Sequence, residues 1–572
     1  MRPPDQRLVT RRWFAAACVV VLLKLLLCSH AETLYAAWDS AGYVESAGKW
    51  HWGAPYEMYS YIRVPTFNLY LASINALGVP VRLANELVLA LAALLVAQAV
   101  WACGLTRVTA WLSFALLTLH PWTYYIFNLV TPDGLYATLL VAFIAAMVLL
   151  VRDLRYWQLA SEQPRLGLRS VWRVACLAAP TCGLAALVGT WRQESALLLV
   201  PCGVAALAVF WHRDATLPAR KRSILAAAAV VAIAPYASVV ALKHVYSAIN
   251  ARVISLYAPA DFLAPGYAKL HQALLSIPPA ASDESPKLQA PTDVRMRAYN
   301  ISPTFALLKP WLEGESLQQY APLVRDVSPD TDEYGAWLVW GIRDAAFRYR
   351  SWPDAGELDR FFAQAAEEIR VAQHEGRLAR RFAPLSFVAP AWRGLLRELP
   401  ESASQSWIVS TDPVHLRKHA TGDVSLYTRL VFDRVALRRT GLDQPDAGKP
   451  AQDAKRDVLW HSDEVGKALR SIWRSWAQVH AGLLAWAWWL PLVVLGGWCW
   501  HGWRTRRVPL VAVLLGCTVL TALARFALVC LLDASGVWTQ PRYLLAFSML
   551  SDIAIVLAFA SVVRQSIDWI KR

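Results

Sequence analysis

The chain has 572 residues, of which 56% are hydrophobic and only 17% are charged, and its mean hydropathy is +0.33. This composition excludes a soluble protein of that length and predicts one whose main solvent is the lipid bilayer. The formal net charge of +15 fits either nucleic-acid binding or a sorting of Lys and Arg to one side of a membrane. All nine cysteines lie in apolar runs or at their ends, so neither a disulfide framework nor a CxxC metal site is indicated.

Ten apolar segments along the chain approach the roughly 20 residues that a transmembrane helix requires. The first follows Arg11 and Arg12 and has no small-residue cleavage site after it, which predicts an uncleaved signal anchor. The ten segments lie near residues 12–31, 83–103, 106–123, 133–151, 174–191, 195–211, 223–246, 477–500, 508–532 and 543–563.

Basic residues predict the orientation of these segments. With ten spans, the following residues all fall on one side: Arg2, Arg7, Arg11, Arg12, Arg107, Arg152, Arg155, Arg213, Arg220, Lys221, Arg222, Arg504, Arg506, Arg507, Arg564, Lys571 and Arg572. Both termini are therefore predicted to be cytoplasmic. This sorting accounts for much of the net charge and removes most of the case for a nucleic-acid partner. The bias toward Ala, Arg and Trp suggests a bacterial protein, located in the inner (cytoplasmic) membrane.

The same pattern predicts an all-α polytopic membrane protein in three parts. Residues 1–246 form an N-terminal membrane module with seven helices, and residues 477–572 form a C-terminal module with three. Residues 247–476 form an extracytoplasmic domain between helices seven and eight. This region is too long for a structureless loop, and apolar residues at helical spacing in 356–382 predict a mainly helical domain.

Polar chemistry is expected on the extracytoplasmic side, where the other long segment, residues 32–82, also lies. In that segment, residues 63–77 have the pattern of an interfacial helix. The domain offers no catalytic signature, and its predicted role is acceptor recognition. Its histidines match no metal-binding spacing: His271, His374, His415, His419 and His461.

A carboxylate stands directly after the first apolar segment, in the sequence Trp38-Asp39-Ser40-Ala41-Gly42-Tyr43-Val44-Glu45-Ser46-Ala47. Asp39 would lie just above the bilayer, at the depth of the lipid headgroups, where it is suited to act as a general base on an acceptor hydroxyl. The alternative is that Asp39 caps a loop helix.

The spacing of Asp39, Tyr43 and Ala47 resembles that of the GT-C superfamily of membrane glycosyltransferases. The similar branch includes the dolichyl-phosphate-mannose protein mannosyltransferases and the bacterial aminoarabinose transferases. These enzymes usually carry Asp-Glu, a Tyr four positions after the Asp and an Ala four positions further on; here Ser40 stands in the Glu position. The resemblance implies a GT-C-like fold and a sugar donor linked to a polyprenyl phosphate.

Two further segments resemble the same family. Arg63-Val64-Pro65 is similar to its Arg-Pro or Pro-Pro segment, which suggests that Arg63 binds substrate. Residues 119–134 look like its Pro-rich turn with a second acidic residue, Asp133. This carboxylate could assist the acceptor, a metal or the phosphate, or it could cap the following helix.

Candidate phosphate ligands lie in two other predicted external loops. Arg192 of Arg192-Gln193-Glu194 could bind the donor phosphate as a bidentate cation, or could pair with Glu194. Arg542, followed by Tyr543, is the favoured ligand because a fixed guanidinium stabilises the negative charge on a departing phosphate. The competing interpretation is an interfacial Arg-Tyr anchor.

Other charges in or near the apolar segments are assigned structural roles. Arg525 and Asp552 each lie about 12 Å below the external end of a helix at 1.5 Å rise per residue, which predicts a buried pair. Lys24 is expected to extend toward a helix end. Lys243 and His244 lie where they could meet the donor headgroup.

Together these residues predict a glycosyltransferase that transfers a sugar from a polyprenyl-phosphate-linked donor to an envelope glycan, lipid or protein acceptor, with inversion. Asp39 would be the base, with Asp133 as a second catalytic candidate, and Arg542 with Arg192 would stabilise the leaving phosphate. The predicted substrate-binding residues are Tyr43, Arg63, Arg192, Glu194, Arg542 and Tyr543. We assign no metal ligand, although a divalent metal is compatible with the sequence. A transporter or flippase of lipid-linked glycans is an alternative. The lack of an evident sequence repeat relating the two halves of the chain argues against it. A non-catalytic envelope assembly scaffold is the third hypothesis.

Overall fold

In the computed structural model, regular secondary structure is helical throughout the part of the chain that is described. The described residues are 11–29, 40–58, 60–127, 129–160, 168–192, 194–211, 218–280, 289–323, 333–383, 392–411, 464–505, 507–535 and 541–570.

Among the described residues, ten α-helices precede the domain. They are α1 (Arg11–Ser29), α2 (Ser40–Gly48), α3 (Thr66–Ala76), α4 (Val81–Ala102), α5 (Arg107–Thr118), α6 (Pro121–Ile126), α7 (Asp133–Ala160), α8 (Leu168–Trp191), α9 (Leu199–Trp211) and α10 (Pro218–Val253). The longer helices of the following region are α11 (Pro265–Leu275), α12 (Thr292–Ile301), α13 (Leu338–Tyr349), α14 (Ala355–His374) and α15 (Trp392–Thr411). The last four are α16 (Glu464–Ala487), α17 (Trp489–Thr505), α18 (Leu510–Ala534) and α19 (Pro541–Ile570).

Six stretches of the described helices are long and apolar enough to cross a membrane, which indicates a helical membrane protein. These are Val81–Ala102, Asp133–Arg155, Leu225–Val253, Glu464–Thr505, Leu510–Ala534 and Arg542–Ile567. Shorter apolar helices cover Trp13–Cys28, Ala175–Trp191 and Ser195–Trp211. Every predicted apolar segment overlaps a helix, but the count of ten spans stays a prediction.

The bundle is built around α7. Within Asp133–Arg155, 94% of the most apolar stretch is buried by protein, against 22% for Leu225–Val253 of α10. A helix that is apolar on all sides belongs in such a position, because every face meets another helix. Helix α7 packs on α4, α8, α18 and α19, so residues at its first turn are surrounded by the ends of several helices.

Close contact between α8 and α10 fixes the end of α8. A Cβ at Gly189 would lie 2.5 Å from a methyl group of Val239, so only glycine allows this approach. In the same crossing, the Ser238 hydroxyl of α10 donates to the Cys182 carbonyl oxygen of α8 at 2.8 Å. These contacts position Trp191 and the residues that follow it.

The described domain has its own apolar core, in which Leu270, Phe305, Ile342 and Phe362 are almost fully buried. Helices α11 and α14 cross closely there. Tyr61 from the first long segment joins the same core, so the domain and that segment pack as one unit.

Polar contacts strengthen this attachment. Arg343 pairs with Asp261 and donates from Nε to the Met58 carbonyl oxygen at 2.8 Å. The Tyr56 hydroxyl donates to Asp261 Oδ2 at 2.7 Å. The segment 40–65 is therefore held between the domain and the membrane helices.

Helix α3 falls within the predicted interfacial stretch 63–77, so a helix there is confirmed. Phe67 and Tyr70 contact the Trp191 ring, with centroid distances of 5.8 and 5.5 Å. Phe67 also meets Tyr43 edge-on at 5.0 Å. Helix α3 therefore links α2 to the end of α8.

The helix ends differ from the predicted part boundaries. Helix α10 continues to Val253, beyond residue 246, and α16 begins at Glu464, before residue 477. Helix α15, which the prediction included in the domain, packs against α18 and α19. Its Trp407 ring lies 6.4 Å from Phe526 and 6.3 Å from Phe547, because its apolar face is buried against the membrane helices.

Candidate functional site

Asp133 and Arg192 form an ion pair where α7 begins and α8 ends. The Asp133 side chain is 2% exposed and that of Arg192 is 20% exposed. A carboxylate in the first turn also suits the positive end of the α7 dipole. The two candidates from separate predicted loops are therefore brought together, at the end of the bundle that carries α3 and the domain.

Glu194 extends this pair. Arg192 Nε and Nη2 lie 3.2 and 3.3 Å from the two Glu194 carboxylate oxygens, so the predicted Arg192–Glu194 contact is present. Arg525 Nη1 of α18 lies 3.0 Å from Glu194 Oε2. Burial by itself would raise the pKa of Glu194, but the guanidinium groups of Arg192 and Arg525 lower it to about 2. Glu194 is therefore an anion at neutral pH.

Arg542 reaches the same group of residues from the start of α19. Its Nε lies 3.7 Å from Asp133 Oδ2, and its Nη2 lies 3.3 Å from the Tyr543 hydroxyl. The Tyr543 ring lies between two cations, with the Arg192 and Arg542 guanidinium carbons 5.0 and 5.2 Å from its centroid. Arg525 Nε donates to the Tyr543 carbonyl oxygen at 3.0 Å. We call Asp133, Arg192, Glu194, Arg525 and Arg542 the arginine–carboxylate cluster.

Two tyrosines border the arginine–carboxylate cluster. Tyr136 lies one turn after Asp133, is 2% exposed, and its hydroxyl has no hydrogen-bond partner among the described residues. The Arg525 guanidinium lies 5.5 Å from its ring centroid. Tyr43 of α2 is buried and close enough to Arg192 for an electrostatic interaction. A buried hydroxyl without a partner is costly, which marks Tyr136 as a place for a ligand atom.

Among the described residues, this cluster gathers three guanidinium groups and two carboxylates in a largely buried place. Guanidinium groups held in this way attract anions that have oxygen acceptors. A bound anion would contact them and supply a partner for Tyr136. A phosphodiester has these properties, and guanidinium groups bind its oxygens in bidentate geometry.

Two predicted site residues are not placed in this cluster or against it. Asp39 lies outside the described residues, immediately before α2. Arg63 is described, and its guanidinium carbon lies 5.6 Å from the ring centroid of Trp340 in the domain. Arg63 therefore lies at the contact between the first long segment and the domain.

The predicted pair of Arg525 with Asp552 is wrong. Arg525 pairs with Glu194, whereas Asp552 Oδ2 accepts from His480 Nε2 of α16 at 2.9 Å. His120 Nε2 lies 3.6 Å from the same oxygen. Equal depth along two helices does not make their side chains face each other, and here the two residues point to different neighbours.

Lys24 is also placed differently from the prediction. Its side chain is 1% exposed rather than extended to a helix end. Its Nζ donates to the Thr118 carbonyl oxygen at 2.9 Å and to Thr123 Oγ1 at 2.5 Å, and Glu86 lies 3.6 Å away. The acidic residue on α4 compensates the buried ammonium group, so extension into water is unnecessary.

Lys243 lies at the margin of the arginine–carboxylate cluster. Its Nζ donates to Ser195 Oγ at 3.0 Å, next to Glu194 in the chain. Its neighbour His244 contacts the Tyr257 hydroxyl at 3.0 Å instead. Of this pair, only Lys243 is positioned near the cluster.

Sequence reasoning missed two members of the site. Arg525 was assigned to another partner, although an arginine in an apolar helix is itself a signal of a buried acidic neighbour. Tyr136 gave no signal, since a tyrosine near a helix start is common.

Comparison of the chain with protein-family models, curated proteins and solved structures finds no match.

Proposed function

We propose that the chain is an integral membrane glycosyltransferase of the GT-C type. It transfers a sugar from a polyprenyl-phosphate-linked donor to an acceptor in the cell envelope: a glycan, a lipid or a protein. The reaction takes place at the end of the bundle that carries the domain, on the extracytoplasmic side of the bacterial inner membrane. Nucleic acid is not a substrate.

The observation that carries this proposal is the arginine–carboxylate cluster, in which three guanidinium groups of the described residues converge on two carboxylates. A polyprenyl-phosphate sugar is an anionic phosphodiester, and its oxygens are acceptors for these guanidinium groups. Tyr136 supplies a hydroxyl for one phosphate oxygen. The polyprenyl chain can lie along the apolar helices, while the sugar faces the domain.

Charge at the phosphate grows during the reaction, from one negative charge in the diester to two in the departing polyprenyl phosphate. Fixed guanidinium groups stabilise that developing charge without reorganisation. Arg542 and Arg192 are the ligands we expect at the phosphate, with Arg525 held beside them by Glu194. Asp133 orients both Arg192 and Arg542.

The acceptor needs a base, and Asp39 remains the candidate. It immediately precedes α2, whose Tyr43 lies beside Arg192. Proton removal by Asp39 allows the acceptor oxygen to attack the anomeric carbon as the bond to phosphate breaks. Direct displacement of this kind inverts the anomeric centre.

The test is mass spectrometry of envelope glycans from a strain that lacks the chain. The strain is complemented with wild type, Asp39→Asn, Arg542→Ala or the control Arg370→Ala, and the membrane level of each variant is measured. Arg370 is 61% exposed on the domain surface, so its loss should restore the glycan fully. We expect one sugar to be missing from the deletion strain and from the Asp39→Asn and Arg542→Ala strains.

Two outcomes contradict the proposal. If normally inserted Asp39→Asn and Arg542→Ala both restore the glycan, a scaffold explains the chain better. If the deletion strain accumulates the lipid-linked sugar on the cytoplasmic side of the membrane, transport is the better explanation.

A further inference from the structure

A second group of buried ionisable side chains lies apart from the arginine–carboxylate cluster. His120 lies between α5 and α6, His480 in α16 and Asp552 in α19, and one ligand atom of each lies within 4.8 Å of the others. Their exposed fractions are 0%, 3% and 9%. Three separate elements thus bring metal-ligating side chains to one point.

The atoms that face each other are those that bind metals. His480 Nε2 lies 3.0 and 2.9 Å from the two Asp552 carboxylate oxygens, and His120 Nε2 lies 3.6 Å from Oδ2. Ser548, one turn before Asp552 on α19, has its hydroxyl 3.1 Å from His120 Nε2. A tetrahedral Zn²⁺ with bonds of about 2.0–2.1 Å separates its ligand atoms by about 3.3 Å. The observed separations lie on both sides of that value.

Charge also favours a cation at this point. Within the described ranges, no Lys or Arg lies at salt-bridge distance from Asp552; its ionic contacts there are the two histidines. Neutral imidazoles donate hydrogen bonds but leave the buried carboxylate uncompensated. A divalent cation between the three groups would neutralise it.

We propose that His120, His480 and Asp552 bind one first-row transition-metal ion, with Zn²⁺ the best match. Two imidazole nitrogens and one carboxylate oxygen form a donor set that Zn²⁺ prefers and that Mg²⁺ and Ca²⁺ do not. The Ser548 hydroxyl or a water molecule completes the coordination. Binding uses the lone pair of His120 Nε2, so the ring proton moves to Nδ1 and the 3.3 Å contact from the Trp122 N–H to Nδ1 is lost.

The metal joins helices that are distant in sequence. Trp473 and Trp476 of α16 already donate from Nε1 to the carbonyl oxygens of Pro121 and Leu119, at 2.9 and 2.8 Å. Coordination by His480, one turn further along α16, adds a third link to the same turn. The ion therefore ties α16 to the N-terminal module and to α19.

The experiment uses the full-length chain, purified in detergent through a tag without histidine. Metal content is measured by plasma mass spectrometry for wild type, His480→Gln, Asp552→Asn and the control His374→Gln, which alters an exposed histidine of the domain. We expect about one metal ion per chain in wild type and in the control. The metal content of His480→Gln and Asp552→Asn should be lower by about tenfold or more.

A second measurement does not depend on any variant folding correctly. Wild type is stripped with a chelator and titrated with Co²⁺, whose tetrahedral nitrogen and oxygen complexes absorb visible light. Saturation at about one Co²⁺ per chain, reversed by Zn²⁺, supports the site. If stripped wild type shows no saturable visible absorption with Co²⁺, the three residues form a hydrogen-bonded group without metal and the proposal is wrong.

Discussion

Arg525 lies in an apolar helix and is 2% exposed, a position in which an uncompensated guanidinium group would be strongly unfavourable. Glu194 supplies its counter-charge at 3.0 Å, and the Tyr543 carbonyl oxygen accepts a further hydrogen bond. The same carboxylate also orients Arg192. Glu194 thus holds two of the three cations that we expect to face a phosphate.

Loss of the Glu194 charge should destabilise the protein. Glu194→Gln leaves Arg192 and Arg525 partly uncompensated, and breaking a buried pair typically costs about 3–5 kcal/mol. We expect a decrease of that order in the free energy of unfolding, measured by denaturant titration in detergent. Glu367→Gln is the matched control, since its pair with Arg370 is exposed and contributes at most about 1 kcal/mol. Equal effects of the two substitutions would contradict the role of Glu194.

His51 predicts a dependence of stability on pH. Burial lowers the pKa of His51 from 6.5 to about 4, and the side chain is fully buried. Between these values the unfolded chain binds a proton that the folded chain does not, so stability falls as pH decreases from about 6.5 to 4. The expected loss across that window is about 3 kcal/mol.

The measurement is the unfolding free energy as a function of pH for wild type and His51→Asn. Asparagine is chosen because His51 has a φ of 62°, which asparagine tolerates. Between about pH 6.5 and 4, the unfolding free energy of His51→Asn should fall by about 3 kcal/mol less than that of wild type. Parallel profiles would show that His51 is accessible to protons in the folded state.

At the residue scale, the sequence singled out candidates that lie close together, but it did not give the partner of each charged residue. Asp133, Arg192, Glu194, Arg542 and Tyr543 were candidates, and the structure brings them together. The Arg525–Asp552 pair was wrong because residue spacing gives depth along a helix, but not the direction in which a helix faces its neighbours. That direction depends on packing of the whole bundle.

Helices α11 and α14 illustrate how one element fixes another. Asp359 of α14 accepts hydrogen bonds from the backbone N–H groups of Gly266 and Tyr267 at 2.7 and 3.2 Å, so it caps the N-terminus of α11 across the crossing. A Cβ at Gly266 would lie 2.1 Å from the Asp359 carbonyl oxygen. The crossing therefore requires glycine there.

Gly266→Ala should push these two helices apart and weaken the domain. Overpacking of this kind typically costs about 1–3 kcal/mol. Gly183→Ala is the control, because a Cβ at Gly183 in α8 meets no atom within 4 Å and should leave stability unchanged or slightly higher. The readout is the thermal unfolding midpoint in detergent. A Gly266→Ala midpoint equal to or above wild type would overturn the account of this crossing.

Elements were predicted more reliably than contacts. Each predicted apolar segment overlaps a helix, because length and hydropathy are properties of each segment by itself, and six of the described helical stretches are long and apolar enough to cross a membrane. Helix α15 was placed with the domain because it lies within a long polar stretch of sequence, although Trp407 packs against α18 and α19. Its amphipathic pattern predicts a helix but does not say what its apolar face covers.

The whole molecule carries its domain, the segment 40–65 and the arginine–carboxylate cluster at one end of the bundle. If the chain crosses the membrane ten times, that end is extracytoplasmic and both termini are on the opposite side. Protease sites inserted at Gly376, an exposed turn after α14, and after residue 572 can test this. In spheroplasts, external protease should cut at Gly376 and leave the C-terminal site intact. The prediction places three spans between the two sites, and therefore puts them on opposite sides of the membrane. Cleavage at both sites would contradict it.

The central claim is that the arginine–carboxylate cluster binds a lipid phosphate, and native mass spectrometry of the purified full-length chain tests it most directly. Wild type and Arg370→Ala should retain a polyprenyl-phosphate lipid, with or without its sugar, and Arg542→Ala should retain it at least about tenfold less, because a charge-assisted contact is lost. If wild type carries only bulk phospholipid, to the same extent as Arg542→Ala, the cluster is a structural ion network and the proposed donor is wrong.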